Sequence, residues 1–155
     1  LTLEALESRL SAVSTEFDTL SDTMKAKSAR MKELQELIRQ AENYKRLKPV
    51  YDELNGIKWK KQREKFETAH DADLRLFYTA RRILKEKLDR KPITLAAWKQ
   101  EYDRLQAEYA KLSPQYKPLR EDLMKMRRVQ YCVDRVLQRR QPEQEPPKKK
   151  QDIEL

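Results

Sequence analysis

The chain has 155 residues; 39% are charged, 38% are hydrophobic, and the single glycine is Gly56. So little glycine excludes a strand-rich fold with many tight turns, and so much charge argues against one large globular core. The composition therefore favours long helices with narrow apolar seams. The net charge is +9, and most of the excess lies between residues 45 and 91, which indicates either a polyanion partner or a solvated face.

Cysteine content and hydropathy predict a reducing, cytoplasmic setting. Cys132 is the only cysteine, so an intrachain disulfide is impossible. No stretch approaches the roughly 18 consecutive apolar residues of a membrane span, and no signal peptide is visible. Because the chain begins at Leu1 rather than methionine, we expect it to be part of a longer protein.

Residues 1–44 are predicted to form one long helix with a heptad seam. Apolar residues recur at alternating spacings of three and four, which average 3.5 and keep one stripe facing a partner helix. Lys27 alone interrupts the stripe, and we expect its stem to lie along the groove with its ammonium in water. The seam residues most clearly placed by this pattern are Leu6, Leu10, Phe17, Leu20 and Leu34.

Residues 45–91 are predicted to form a basic helical middle. The heptad pattern fails near Pro49, because proline disfavours helix in the residue before it. A short amphipathic piece follows, and Gly56 is a plausible stop. A second helix is then expected over residues 62–88.

Residues 92–138 are predicted to form a second heptad helix. Thr94 is suited to the N-cap, with Ile93 and Trp98 at the two positions of a hydrophobic staple. Pro114 and Pro118 lie inside the run, and because the seam keeps its phase across them we predict a kink near residues 113–118 rather than a turn. The seam includes Trp98, Tyr102, Leu105, Tyr109, Leu112 and Leu123.

After residue 138 the chain is almost entirely Gln, Glu, Pro, Lys and Arg. Residues 139–155 lack the apolar side chains that could offset the entropy of ordering, so they are predicted to be a disordered charged tail.

The predicted fold class is all-α: an elongated helical bundle or hairpin of two long heptad helices and shorter amphipathic helices. The two heptad segments have similar lengths. They could pair with each other or across a dimer, in parallel or antiparallel, and the sequence leaves these alternatives open.

A stretch of alternating basic and aromatic residues in the middle segment is the main candidate for binding. Residues 57–66 hold five basic residues and one acid, interleaved with Trp59 and Phe66. On a helix Lys58, Lys61 and Lys65 would share a side and could follow phosphates, while Trp59 could stack on an exposed base. The alternative is that Trp59 and Phe66 belong to the core and the lysines are a solvated back. The candidate nucleic-acid contacts are Lys58, Trp59, Lys60, Lys61, Arg63, Lys65, Arg81 and Arg82.

No residue pattern predicts catalysis, a metal site or a cofactor. Glu67 and His70 have the i, i+3 spacing of helical metal ligands, but a dinuclear site needs that motif twice and His70 is the only histidine. A nucleophilic tyrosine would need an activating base or metal beside it, and Tyr102, Tyr109 and Tyr116, which lie at seam positions, are interpreted as core packing. Cys132 is interpreted as a packed side chain.

Two stretches, and their order with the last helix, resemble a known family. They are residues 43–52 (NYKRLKPVYD) and residues 65–70 (KFETAH), the latter leading into Leu74 and Phe77. A tyrosine-bearing heptad helix follows, entered at residues 93–98 and ending near residues 133–137. Over residues 1–140 this order resembles the C-terminal helical region of relaxases, the mobilisation nucleases of conjugative and mobilisable elements.

The resemblance implies a non-catalytic part of an enzyme that nicks plasmid DNA. Relaxases use a nucleophilic tyrosine and a metal held by three histidines in an N-terminal domain, and none of those residues can be assigned here. The resemblance implies accessory DNA binding, self-association or docking to transfer proteins during conjugation. The alternative function is a structural coiled-coil spacer or dimerisation module without a nucleic-acid role.

Overall fold

The computed structural model describes residues 2–140, which form four helices and no strand. The helices are α1 (Leu3–Gly56), α2 (Lys60–Ala69), α3 (Asp71–Leu88) and α4 (Leu95–Arg140). The prediction of an all-α fold with two long helices is confirmed. Residues 139 and 140 belong to α4, and the rest of the predicted tail, from residue 141, lies outside the described residues.

The predicted interruption near Pro49 is wrong, because α1 runs through this proline to Gly56. A proline inside a helix removes one backbone hydrogen bond and crowds the preceding turn. Buried leucines lie on both sides of it, at Leu47 and Leu54, and their packing holds the helix together across the defect. The helix ends instead at the predicted glycine, beyond which three residues are not helical.

The predicted single helix over residues 62–88 is also wrong, because His70 divides it. His70 is at once the C-cap of α2 and the N-cap of α3, with φ −116° and ψ 25°. Its backbone N–H donates to the Phe66 carbonyl at 2.9 Å, and its ring stacks on the Phe66 ring with centroids 4.1 Å apart. The non-helical backbone of His70 therefore separates α2 from α3.

α4 begins where the sequence predicts and contains both of its prolines. Its first helical residue follows Thr94, whose carbonyl accepts a hydrogen bond from the Trp98 N–H at 3.0 Å. Trp98 is buried, and Ile93 packs against the same cluster as the staple requires. Pro114 and Pro118 lie within the helix, so the expectation that no turn divides it is met.

The chain divides into two compact units, and α1 and α4 contribute a segment to each. The core unit is Lys25–Ala110, and the described part of the second unit, which we call the two-helix unit, combines residues 2–24 with residues 111–140. The core unit is held by a cluster from three helices, in which each fully buried leucine contributes about 2 kcal/mol. Its buried members are Leu34, Leu37, Ala41, Leu84, Trp98 and Leu105.

Ion pairs show that α1 and α4 are antiparallel in the core unit. Lys27 pairs with Glu108 at 2.8 Å, and Arg30 pairs with Glu101 at 2.7 Å, so the partner's number falls as the α1 number rises. The expectation that the Lys27 ammonium reaches water is therefore corrected: it reaches a carboxylate across the seam. Hydrogen bonds from Arg30 hold the pKa of the Glu101 carboxyl below its usual value.

The two-helix unit continues the same kind of seam. Phe17 of α1 contacts Tyr116 of α4, with ring centroids 5.2 Å apart. Leu20 and Leu123 are buried in this unit, and Leu6, Leu10 and Leu112 are half-buried. In both units the heptad seams therefore pair with each other within one chain.

Candidate nucleic-acid interface

Trp59 stands in the short link between α1 and α2 and points away from any core. Its backbone is extended, with φ −87° and ψ 126°, and its carbonyl accepts the first hydrogen bond of α2 from the Arg63 N–H at 2.9 Å. The residue therefore caps α2 through its backbone while its side chain is 73% exposed. The alternative interpretation of Trp59 as a core residue is wrong.

α2 is a short helix without a buried residue, and its surface is basic. Lys60, Lys61 and Lys65 are exposed and Arg63 is half-buried. Together with Lys58 and Trp59 in the link, these residues form what we call the α2 patch. None of its five cations makes a salt bridge within residues 2–140, which also holds for most other lysines and arginines in that range.

One side of α2 is open to solvent and carries two of these lysines. Lys61 and Lys65 lie one helical turn apart and line an open hollow with Glu64, Thr68 and Ala69. Glu64 is the acid in this hollow, and its carboxylate makes no salt bridge in the described part of the chain. The hollow is thus an open helix face with two cations and one carboxylate.

The predicted grouping of Lys58 with Lys61 and Lys65 on one helical side is wrong, because Lys58 precedes the helix. α2 begins at Lys60, so Lys58 belongs to the non-helical link beside Trp59. The sequence periodicity does not indicate that α2 begins at Lys60. Trp59 and Phe66 are seven residues apart, which is the spacing of a continuous heptad helix.

Arg81 and Arg82 lie in α3 rather than α2, about 15 Å along α3 from its start at the usual helical rise. Arg82 pairs with Glu86 at 3.6 Å. Arg81 donates a hydrogen bond to the Tyr51 hydroxyl at 3.1 Å and lies over the Tyr51 ring, 5.1 Å from its centroid. Hydrogen bonds with Asn55 and Arg81 lower the pKa of the Tyr51 hydroxyl. Both arginines thus have partners within the fold.

An aromatic stack behind Arg81 was not predicted from the sequence. Phe77 is almost fully buried, and its ring stacks on those of Tyr44 and Tyr51, with centroids 5.1 and 4.6 Å apart. Tyr78 meets Tyr51 edge-on at 5.9 Å. The stack joins α1 to α3 and explains the regular spacing of Tyr44 and Tyr51, seven residues apart.

Within residues 2–140 no group of three or more His, Cys, Asp or Glu side chains is arranged to hold a metal ion. The Nδ1 atom of His70 lies 3.1 Å from the Phe66 carbonyl, so this ring is engaged by its own helix end rather than by Glu67. Of the remaining residues considered for chemistry, Cys132 is exposed and not packed as predicted, and Tyr102 accepts a hydrogen bond from Gln35 at 3.0 Å.

Comparison with protein-family models, curated proteins and solved structures finds no match to this chain. None of the helices in the described part of the chain has both the length and the apolar character needed to cross a membrane.

Proposed function

We propose that this chain is a non-catalytic helical region that binds nucleic acid through the α2 patch. The observation that supports the proposal is the exposure of Trp59 beside five cations that have no ion-pair partner in the described chain. An exposed indole is available to stack on an unpaired base, and the exposed cations beside it in the chain are available to phosphates.

The patch combines the two terms that govern binding to a nucleic-acid strand. Lysines near the phosphate backbone release condensed counterions, which supplies affinity without base recognition. An exposed aromatic ring can stack on an unpaired base whatever its identity. The expected mode is therefore sequence-independent contact with DNA, and it fits the accessory, cytoplasmic role that the resemblance to relaxases implies in conjugative transfer.

A structural coiled-coil spacer is the second candidate. The antiparallel pairing of α1 with α4 within one chain favours a spacer over a dimerisation arm built on the same seams. Those seams already have a partner, so they do not need a second copy. The spacer gives no role to an exposed Trp59 within a local cluster of five cations, which is why DNA binding comes first.

Titration of labelled DNA with the full chain tests the proposal. At about 50 mM salt we expect binding that weakens steeply by about 200 mM, because the release of condensed counterions gains less entropy at higher salt. The double variant Lys61→Glu, Lys65→Glu should weaken binding and reduce the salt slope by about two, one unit for each lost phosphate contact. Fluorescence anisotropy at a series of salt concentrations measures both quantities.

A charge-matched variant separates the patch from net charge. Lys111 and Lys117 are exposed on α4 and make no salt bridge in the described chain, so Lys111→Glu, Lys117→Glu changes the charge equally at another place. It should retain most of the binding. Equal losses in the two double variants, or a wild-type salt slope near zero, would contradict binding at α2 and leave the spacer.

A further inference from the structure

The link between α1 and α2 holds the Trp59 backbone in place and leaves its indole without a partner. On one side the Ile57 N–H donates a hydrogen bond to the Leu54 carbonyl at 3.1 Å, and Ile57 is half-buried. On the other side the Trp59 carbonyl accepts from the Arg63 N–H at 2.9 Å. Within residues 2–140 the indole makes no ring stacking, no cation–π contact and no side-chain hydrogen bond. The ring is therefore presented from an anchored backbone, which lowers the cost of ordering it on a ligand.

The neighbours of this ring along the chain are cations. Lys58 precedes Trp59, Lys60 and Lys61 follow it, and all three lysines are exposed. A ligand that meets the indole therefore also meets positive charge, so the ligand must offer a flat apolar face close to a negative group. A nucleotide with an unpaired base offers both, because its base has a π-face and its phosphate is an anion.

Base pairing decides whether the indole can be used. In a duplex each base already stacks on its neighbours, and opening a base step to admit a ring costs free energy. Lysines reach the phosphates of a duplex and of a single strand alike. The lysines therefore do not distinguish the two forms, whereas the indole gains a contact only where a base is unpaired.

We infer that Trp59 makes the α2 patch selective for single strands, by stacking on an unpaired base while the neighbouring lysines hold the phosphates. This inference rests on the proposed function and adds to it the class of nucleic acid. The two contributions can be separated by experiment, because the lysines depend on salt and phosphate and the indole depends on the base.

Three labelled oligonucleotides of equal length test the inference: a thymidine strand, an abasic strand that keeps the phosphates, and a duplex. Fluorescence anisotropy with the full chain at about 50 mM salt measures the three affinities. Trp59→Ala should weaken the thymidine strand by about tenfold, the size of one aromatic–base stack. It should change the duplex and the abasic strand by less than about twofold. Trp59→Phe keeps a ring and should bind the thymidine strand with intermediate affinity.

The emission of the indole gives a second measurement, which a purely structural role of Trp59 would not affect. Stacking on a base quenches an indole, so wild type should lose emission when the thymidine strand is added and keep it with the abasic strand. In Trp59→Phe the remaining Trp98 is 7% exposed, and its emission should stay unchanged with both strands.

Two control variants separate the indole from other surface changes. Leu76→Ala removes an apolar side chain that is 45% exposed on α3, and it should leave all three affinities within about twofold. Lys61→Glu, Lys65→Glu should weaken all three oligonucleotides together, since they share phosphates. Circular dichroism checks that each variant is folded; Trp59 caps α2 through its backbone, so replacing its side chain keeps the cap.

A uridine strand compares RNA with DNA as the source of the unpaired base. Stacking does not involve the sugar, so Trp59→Ala should weaken the uridine and thymidine strands by the same factor. A loss confined to one of the two strands would show that the sugar, rather than the unpaired base, determines binding at Trp59.

Other outcomes would overturn the inference and leave the proposed function intact. Equal losses for all three oligonucleotides on Trp59→Ala would show that Trp59 supports the patch without contacting bases, and no loss for any would show that the indole is not used. A loss for the duplex as large as that for the thymidine strand would assign the indole to a wedge between paired bases. Failure of wild type to bind any of the three would instead contradict the proposed function itself.

Discussion

The two tryptophans of this chain stand in opposite environments, although both lie within a few residues of a helix start. Trp98 lies one turn inside α4, is 7% exposed and packs among α1, α3 and α4 leucines. Trp59 precedes the first helical residue of α2 and has no buried neighbour on that helix. A difference of a few residues in position relative to the helix start therefore separates a core anchor from a free ring.

This contrast predicts how the fluorescence of the two indoles responds to a neutral quencher. The variant Trp59→Phe should emit at shorter wavelength than wild type and resist quenching by acrylamide, because only the buried Trp98 remains. Trp98→Phe, if folded, should emit at longer wavelength with a steeper quenching slope. Acrylamide is preferred to iodide, because the lysines of the α2 patch would concentrate an anion. A quenching slope for Trp98→Phe as low as that for Trp59→Phe would instead place Trp59 in a packed environment.

At the residue scale, the sequence predicted the candidates in the α2 patch but not their environments. The charge excess, Trp59 and Phe66 are visible in the sequence. The neighbouring residues do not distinguish an aromatic ring on the apolar face of a helix from one in a non-helical link. The partners of Arg81 were missed for a different reason. Tyr51 and Arg81 are thirty residues apart in the chain, and their contact exists only because α1 and α3 pack together.

At the element scale, long helices with sustained heptads were predicted and their interruptions were not. Pro49 carries a strong local signal for a break, yet tertiary packing of Leu47 and Leu54 overrides it. The reverse holds at His70, where no proline or glycine marks the real break between α2 and α3. The Phe66–His70 stacking that accompanies this break depends on side-chain geometry, which a periodicity does not encode.

Replacement of Pro49 tests whether α1 is continuous at this point. In a continuous helix Pro49→Ala restores a hydrogen bond to the Lys45 carbonyl and relieves crowding, which should raise the free energy of unfolding by about 1–3 kcal/mol. Urea denaturation followed by circular dichroism measures the change. Pro114→Ala, at a second proline within a helix, should also stabilise the protein.

The opposite result would restore the interruption predicted from the sequence. If residue 49 lies in a turn, proline limits the freedom of the unfolded chain, and replacing it should lower stability by about 0.4–1 kcal/mol. A lower stability for Pro49→Ala with a higher one for Pro114→Ala would therefore end α1 near residue 48 and leave α4 intact.

At the scale of the whole molecule, the partner of each seam is a property that one sequence leaves open. A heptad stripe indicates that the apolar seam of a helix packs against a partner helix. That partner can come from the same chain or from a second molecule. The polar residues beside the seam resolve the choice in the structure: Lys27 meets Glu108 and Arg30 meets Glu101, in an antiparallel register. Those pairs lie about seventy to eighty residues apart along the chain, so no local pattern predicts them.

The division into two units predicts that core substitutions have local effects. Leu34 is fully buried in the core unit and Leu123 is almost fully buried in the two-helix unit, so each truncation to alanine should cost about 2–5 kcal/mol in its own unit. Hydrogen exchange followed by mass spectrometry should show Leu34→Ala lowering protection mainly over residues 25–110. Leu123→Ala should lower protection mainly over residues 2–24 and 111–140. Ser113→Ala is exposed on α4 and should leave both patterns unchanged. If either leucine variant reduces protection equally in both regions, the chain unfolds as one cooperative structure, because the continuous helices α1 and α4 then transmit the loss from end to end.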